Sequence, residues 1–344
     1  MATSGQIPIH ELAPFRIEPR FVERVWGFQD LRPWYDRVAE AGHPIGEVWL
    51  TGDECLVATG PHAGQSLSGV FATETKALLG AQAPSLESPL LLKVIFAREK
   101  LSVQVHPDDK LAQKYGQPRG KTECWYALAA DAGAQVAAGL KPGVTVGKVK
   151  EGIHAGTLEE SLNMLSVAAG EMIFVDAGTV HAIWPGSILL ETQQNCDLTY
   201  RMYDYGRGRE LHIEKSLEAM RLETRAGKVQ PTVLADRTIL LDSEYFRVER
   251  VSVPGSLSDA GLRGDGVTGE ARAGLAYLFA AAGSGRISSS RPEGAAFEPV
   301  DLPERGIVAI PAACPPFSVE NAGGLELIRI TPNWPPQGQS GEAE

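Results

Sequence analysis

Eleven short apolar runs divided by turn-forming residues constrain this chain more than any other feature. The runs EVWLTG, LLLKVIFA, LSVQVH, ECWYALA, MIFVDAG, SILLET, DLTYRMYDY, FRVERVSV, LAYLFAA, GIVAIPA and LELIRITP are each bounded by Gly, Pro, Asp or Asn. A strand alternates its side chains between two faces and must reverse after a few residues. Short runs at regular spacing between turns are therefore the pattern of an all-β sandwich or barrel, and the rhythm of a parallel βαβ fold is absent. Helical periodicity is confined to about 72–80, 108–115, 145–165 and 212–222, and in LHIEKSLEAM Ile213, Leu217 and Met220 share one face.

A chain of 344 residues is longer than one hydrophobic core usually serves, which predicts two domains. The polar, proline-containing stretch LETRAGKVQPTVLAD reads as the connection between them. The expected division is a first domain over 1–225 carrying a small helical insertion near 145–165, a linker at 226–234, a second β-rich domain over 235–334, and a disordered tail at 335–344. The Gly, Ser and Ala content of 255–292 predicts long loops there.

Thirty-two Lys and Arg against 43 Asp and Glu give a net charge of −11, which argues against nucleic acid or an anionic membrane as the main partner. The opening MATSGQIPIHELAPF has neither the basic start nor the apolar run of a signal peptide. No stretch approaches the roughly 20 apolar residues of a membrane span, so a cytoplasmic protein is expected. Cys55, Cys124, Cys196 and Cys314 form no C-x-x-C pair, which predicts buried free thiols rather than disulfides or a thiolate metal site.

Within LSVQVHPDDK, residues 101–110, a strand would point Leu101, Val103 and Val105 one way and Ser102, Gln104 and His106 the other. Taken alone, that polar face is either solvated or the inside of a pocket. Glu123 in GKTECWYAL is by itself a carboxylate at a strand start. The segment GEMIFVDAGTVHAI reads as a strand, a tight turn that needs Gly178, and a second strand carrying His181 inward. Its spacing resembles the second motif of the cupin superfamily, with Asp176 where proline is usual. Cupins hold metal ligands inside a jelly-roll barrel, so the resemblance implies such a barrel here, and GIVAIPAACPPFSVE, which keeps the glycine and proline of a cupin-like hairpin at Gly306 and Pro311 without a histidine, implies a second cupin-like jelly-roll domain. The cupin resemblance also implies a shared ligand set of Gln104, His106, Glu123 and His181. Two imidazoles, a carboxylate and an amide oxygen suit Zn²⁺, and the same ligands would accept Fe²⁺, Mn²⁺ or Co²⁺.

The stretch ETQQNCDLTYRMYDYGR, residues 191–207, extends the likeness. With LSVQVHPDD, GKTECWYAL, DAGTVHAI, GEVWLTG and GTLEESLNML, it resembles the short bacterial form of the type I mannose-6-phosphate isomerases. That similarity covers most of 15–220 and is weak after 235. It implies zinc at Gln104, His106, Glu123 and His181, an active-site arginine at Arg201, and Lys121 and Glu191 near the metal. Cys196 departs from the commoner Ser, and neither this nor Asp176 removes a ligand.

The activity so implied is interconversion of an aldose phosphate and a ketose phosphate through an enediol, in which negative charge develops on oxygen. A Lewis-acid metal and fixed cations stabilise such charge inside a water-poor barrel. Arg201 offers a permanent planar cation, for the enediolate oxygens or for ring opening. Lys121 is a proton carrier or a substrate anchor, Glu191 a general base or an orienting group, and Ser102 a contact to the sugar or its phosphate. The last histidine is His212, so the second domain is expected to hold no metal and the chain one ion. Two rivals are a metal-containing cupin that only binds or senses sugar, and an iron oxygenase. The second is disfavoured because such sites generally carry more histidines than this set.

Overall fold

The computed structural model describes residues 10–80, 87–264, 274–291 and 296–333. The chain is strand-rich, and every strand pairing among the described residues is antiparallel, in keeping with an all-β class. No helix among them is long and apolar enough to cross a membrane. All four cysteines are unpaired.

The chain forms two compact units. One comprises Pro19–Gly52 and Pro89–Gln230, the other Met1–Glu18, Asp53–Ser88 and Pro231–Glu344. The passage at Gln230 and Pro231 falls inside the stretch read as a linker, but residues 1–18 and 53–88 group with the later residues and not with a first domain over 1–225. The cause is strand pairing across the length of the chain. Phe15–Ile17 pairs with Ile307–Ile310, and the helix Leu67–Leu79 meets the same region through Ala312 N–H to Leu78 O at 2.9 Å. Local composition carries no trace of such pairing. The expected tail at 335–344 lies outside the described residues, as do 265–273 of the stretch 255–292 expected to hold long loops; the described residues of that stretch are mostly in the strands Ser256–Ser258, Ala276–Ala282 and Gly285–Ser289 and the helix Asp259–Arg263.

The unit containing Pro89–Gln230 has two sheets. The larger runs, in spatial order, Gly227–Lys228, Met172–Val175, Glu123–Ala130, Ser187–Gln194, Leu90–Phe96, Ile45–Trp49 and Arg20–Phe28. The smaller runs Tyr200–Tyr203, Val103–Val105, His181–Ile183, Gln135–Leu140 and Leu162–Ser166. Ile95, Trp125, Ile173 and Leu189 of the first and Val136, Ala138 and Ile183 of the second pack into one core. The far side of the smaller sheet is covered in turn. Val103, Val105, Ala137 and Met202 meet Val149, Ile153 and Ala219 of the helices Val146–Ala155 and Ile213–Ala219. Burial of each of the larger aliphatic side chains contributes on the order of 1.5–3 kcal/mol, so the layers are held by apolar packing that owes nothing to a bound ion.

The helices depart from the sequence periodicity at their ends. The stretch expected to be helical over 145–165 is helical over Val146–Ala155, where the Thr145 side chain accepts from Lys148 N–H and Gly156 at φ 73° ends it in the left-handed region. A short turn at Leu158–Ser161 follows, then Leu162–Ser166 joins the smaller sheet beside Gln135–Leu140. The helix expected at 72–80 starts earlier, at Leu67, behind the Ser66 cap. Those expected at 108–115 and 212–222 are Asp109–Lys114 and Ile213–Ala219.

The other unit repeats the two-sheet plan. Its larger sheet holds Phe15–Ile17, Ile307–Ile310, Ala276–Ala282, Glu326–Pro332, Phe246–Ser252, Thr238–Asp242 and Thr232–Val233. The smaller holds Ser256–Ser258, Phe317–Asn321, Gly285–Ser289 and Val300–Leu302. Leu278, Val308, Phe317, Val319 and Leu327 fill the space between.

Candidate active site

Register places the site. On the smaller sheet of the first unit, Gln104 is paired with both His181 and Arg201, so these three side chains form one row across three strands. On the facing sheet Glu191 is paired with Lys93 on one side and Trp125 on the other, Lys93 is paired with Trp49, and Glu123 lies two residues before Trp125. Period-two alternation therefore turns Glu123, Trp125, Glu191, Lys93 and Glu47 to one face.

His181 arrives on the strand–turn–strand that its sequence predicts. Gly178 sits at φ 89°, and a Cβ there would come within 2.9 Å of Arg221 Cγ. Its N–H donates to His106 O at 2.9 Å, tying the turn to the other histidine. Asp176, in place of the usual proline, accepts from Thr179 Oγ1 at 2.9 Å and from Arg225 N–H at 3.2 Å. Hydrogen bonds thus fix the loop that a pyrrolidine ring would otherwise stiffen.

Three of the expected ligands meet. His106, Glu123 and His181 bring their donor atoms within 4.8 Å of one another. Glu123 Oε2 lies 3.5 Å from His106 Nε2, and Glu123 Oε1 lies 3.4 Å from His181 Nε2. Each histidine gives its Nδ1–H to a backbone carbonyl, Leu198 O at 2.8 Å and Thr179 O at 2.9 Å. Nε2 is left with its lone pair directed at the cluster, as in imidazoles oriented for a metal. Glu123 is 1 % exposed, and neither of its oxygens accepts a well-aligned hydrogen bond, although Lys121 Nζ stands 3.1 Å from Oε2. A buried carboxylate with vacant lone pairs between two imidazole nitrogens fits a divalent cation. Gln104 adjoins the cluster, its Nε2 3.2 Å from His181 Nε2 and its oxygen accepting from Ser102 Oγ at 3.3 Å. Ligation through oxygen requires that amide to turn over.

Burial first, then Lys121 and His181, holds His106 well below the usual imidazole range; burial, aided by Lys121, pushes His181 down to about 4. Both rings are thus neutral, the form that binds metal. The unfolded chain takes up imidazole protons near 6.5, which the folded rings refuse until lower pH, so it binds more protons in that interval. The metal-stripped protein should therefore lose stability as pH falls from 6.5 toward about 4. Denaturant midpoints that stay level across that window would contradict two neutral buried rings.

Beside the cluster lies a cavity of about 430 Å³ whose walls include Ser102, Gln104, Lys121, Glu191 and Arg201. Arg201 is half-buried. Its Nη1 donates to Glu210 O at 2.9 Å, and its Nε has no acceptor. Glu191 Oε2 accepts from Trp125 Nε1 at 3.1 Å, and its Oε1 faces Lys93 Nζ at 3.1 Å and Lys121 Nζ at 3.7 Å. Burial and the neighbouring Glu123 raise Glu191 above the ordinary carboxylate range. Lys93 is likewise raised, because Glu191 and Glu47 outweigh the cost of burying its charge.

Lys93, Glu47 and Trp125 are site residues that reading for motifs missed. One signal was present: Lys93 interrupts a strand in which all seven positions are buried. A lysine enters such a run only with partners for its charge.

A sequence profile of the phosphomannose isomerase type I catalytic domain matches residues 15–136, a span that contains Gln104, His106, Lys121 and Glu123. The chain is 34 % identical over 260 residues to the mannose-6-phosphate isomerase of Streptococcus mutans, covering 71 % of this chain and 80 % of that one. The chain belongs to the type I phosphomannose isomerase family. Mannose-6-phosphate isomerase ManA of Bacillus subtilis is also 34 % identical, over 265 residues covering 71 % of this chain and 81 % of its own. The crystal structure of a mannose 6-phosphate isomerase from Bacillus subtilis superposes with a TM-score of 0.79 at 27 % identity, over 93 % of this chain and 99 % of that one. The family likeness thus extends structurally across both units, including residues after 235 where sequence motifs fade.

Proposed function

We propose that this protein is a metal-dependent aldose–ketose isomerase that interconverts mannose 6-phosphate and fructose 6-phosphate. Each unit is read as a cupin-like jelly roll, and the first holds one Zn²⁺ at His106, Glu123 and His181 with Gln104 completing the set. Nitrogen and carboxylate oxygen are ligands that zinc favours in catalytic sites with an open position. The observation that carries the reading is Glu191: a buried carboxylate outside the ligand set, fixed by Trp125, facing two ammonium groups in the cavity that also holds Arg201.

Zinc, when bound, supplies a Lewis acid that polarises substrate oxygen. The remaining work falls to side chains. Glu191 removes the proton from carbon 2 of the open aldose and delivers it to carbon 1, while Lys121 relays the hydroxyl proton of oxygen 2 to oxygen 1. A carboxylate raised toward neutrality suits that exchange. As the proton leaves, charge moves to the oxygens, where Arg201 and Lys121 oppose it from fixed positions. Ser102 contacts the sugar from the cavity wall. Trp125 and Trp26 line the same cavity and reduce access of water to the carried proton.

Incubation with mannose 6-phosphate should yield fructose 6-phosphate in a coupled assay. The same reaction in heavy water should place deuterium at carbon 1 or carbon 2, at less than full occupancy because the cavity shields the proton in transit. Binding of the sugar phosphate with neither product nor label would leave a sugar-sensing protein as the better account.

A further inference from the structure

Glu47 lies outside the ligand set, yet it closes a continuous chain of charge into the cavity. It occupies the strand Ile45–Trp49 and is 6 % exposed. Its Oε2 accepts from Arg24 Nη2 and from Trp49 Nε1, each at 2.8 Å, which fixes the carboxylate from two directions. Its Oε1 lies 3.5 Å from Lys93 Nζ, which is itself 3.1 Å from Glu191 Oε1. The Lys93 ammonium therefore stands between two carboxylates. One is the group assigned above to move the proton; the other stands on the same cavity wall, outside the ligand set.

We infer that Glu47 is a positioning residue for isomerisation. Anchored by Arg24 and Trp49, it holds the Lys93 ammonium against Glu191 and so fixes where the Glu191 carboxylate meets the substrate. A lysine stem has four rotatable bonds, and with Glu191 as its sole partner Lys93 would follow that carboxylate. Glu47 supplies the second tether, and Arg24 neutralises a carboxylate that would otherwise face the substrate's own negative charge. Burial alone would push Glu47 up, but Lys93, Arg24 and Trp49 bring it down to about 2, so the tether is charged throughout the working pH range. The arrangement rests on the isomerase reading and adds to it a residue that acts through another.

The test is steady-state kinetics on the metal-loaded, full-length protein with mannose 6-phosphate. Wild type is run in parallel, so that failure of the reading itself shows as absence of product from wild type. Glu47→Gln keeps shape and removes charge. It should lower kcat about 10- to 100-fold, the scale of a displacement near 1 Å at a reacting group, while KM and bound metal stay near wild type. In a Lys93→Met background the same substitution should change kcat less than about 2-fold, because the group it positions is gone. A normal kcat in Glu47→Gln, or losses that multiply in the double variant, would overturn the inference and leave the isomerase reading standing. Should Glu47→Gln fail to fold, Arg24→Met removes the partly exposed outer anchor, and because Arg24 also lines the cavity, kcat is read apart from KM. It should lower kcat about 2- to 5-fold, as expected for loss of one partly exposed ion pair, and no change would equally overturn the proposal.

Discussion

Alanine at His181 is expected to strip the chain of its metal and reduce isomerase activity by about 10³-fold or more, with the fold intact. The loss is that of a Lewis acid worth several kcal/mol to the transition state. The ligands come from two facing sheets: His181 from the smaller and Glu123 from the larger. Removing one imidazole leaves the Glu123 carboxylate with one imidazole partner where it had two. His106→Ala should behave alike, and chelation of wild type should reproduce both. Metal analysis should give one ion per chain for wild type and well under one for either variant. Full metal content in His181→Ala would defeat the assignment. Circular dichroism should remain native, since the layers on each side of the smaller sheet are apolar.

Alanine at Arg201 should leave metal content near wild type and lower kcat by about 10²–10³, the cost of losing one preorganised donor to developing charge. Arg201 stands in the same cross-strand row as Gln104 and His181, and its Nε has no acceptor among the described residues. A guanidinium N–H left open beside a cavity is poised for an oxygen of the substrate. Arg201→Lys should recover only part of the loss, because an ammonium cannot reproduce the planar fork. An unchanged kcat would reduce Arg201 to a strand-edge cation held by Glu210 O.

The residues legible in the sequence were those whose role is local. Gln104 and His106 share a strand period, and His181 follows a turn that only glycine fits, so a few neighbouring letters carried the message. Lys93 and Glu47 were harder to read for the opposite reason. Each sits in an apolar run that reads as core, and its meaning lies in a partner on another strand: Glu191 beside Lys93, Arg24 beside Glu47. Register between distant strands is a tertiary property that single-strand patterns do not encode. The overextended helix at 145–165 failed more simply, since Gly156 ends it and apolar residues beyond belong to a strand. The domain division failed because Phe15–Ile17 takes its partner from the far end of the chain.

That last pairing also sets the order in which the protein can be completed during synthesis. The unit bearing the candidate metal site takes all its residues from before Pro231, so its whole sequence has been made while the remaining third of the chain is still being synthesised. Phe15–Ile17 and the helix Leu67–Leu79 emerge early, but must wait for Ile307–Ile310 and Ala312 before their buried faces are covered. A fragment cut after the site-bearing unit would carry both as permanently unfinished apolar surface. Excising them along with the C-terminal residues, and rejoining Pro19–Gly52 to Pro89–Gln230, follows the seam that the fold itself provides.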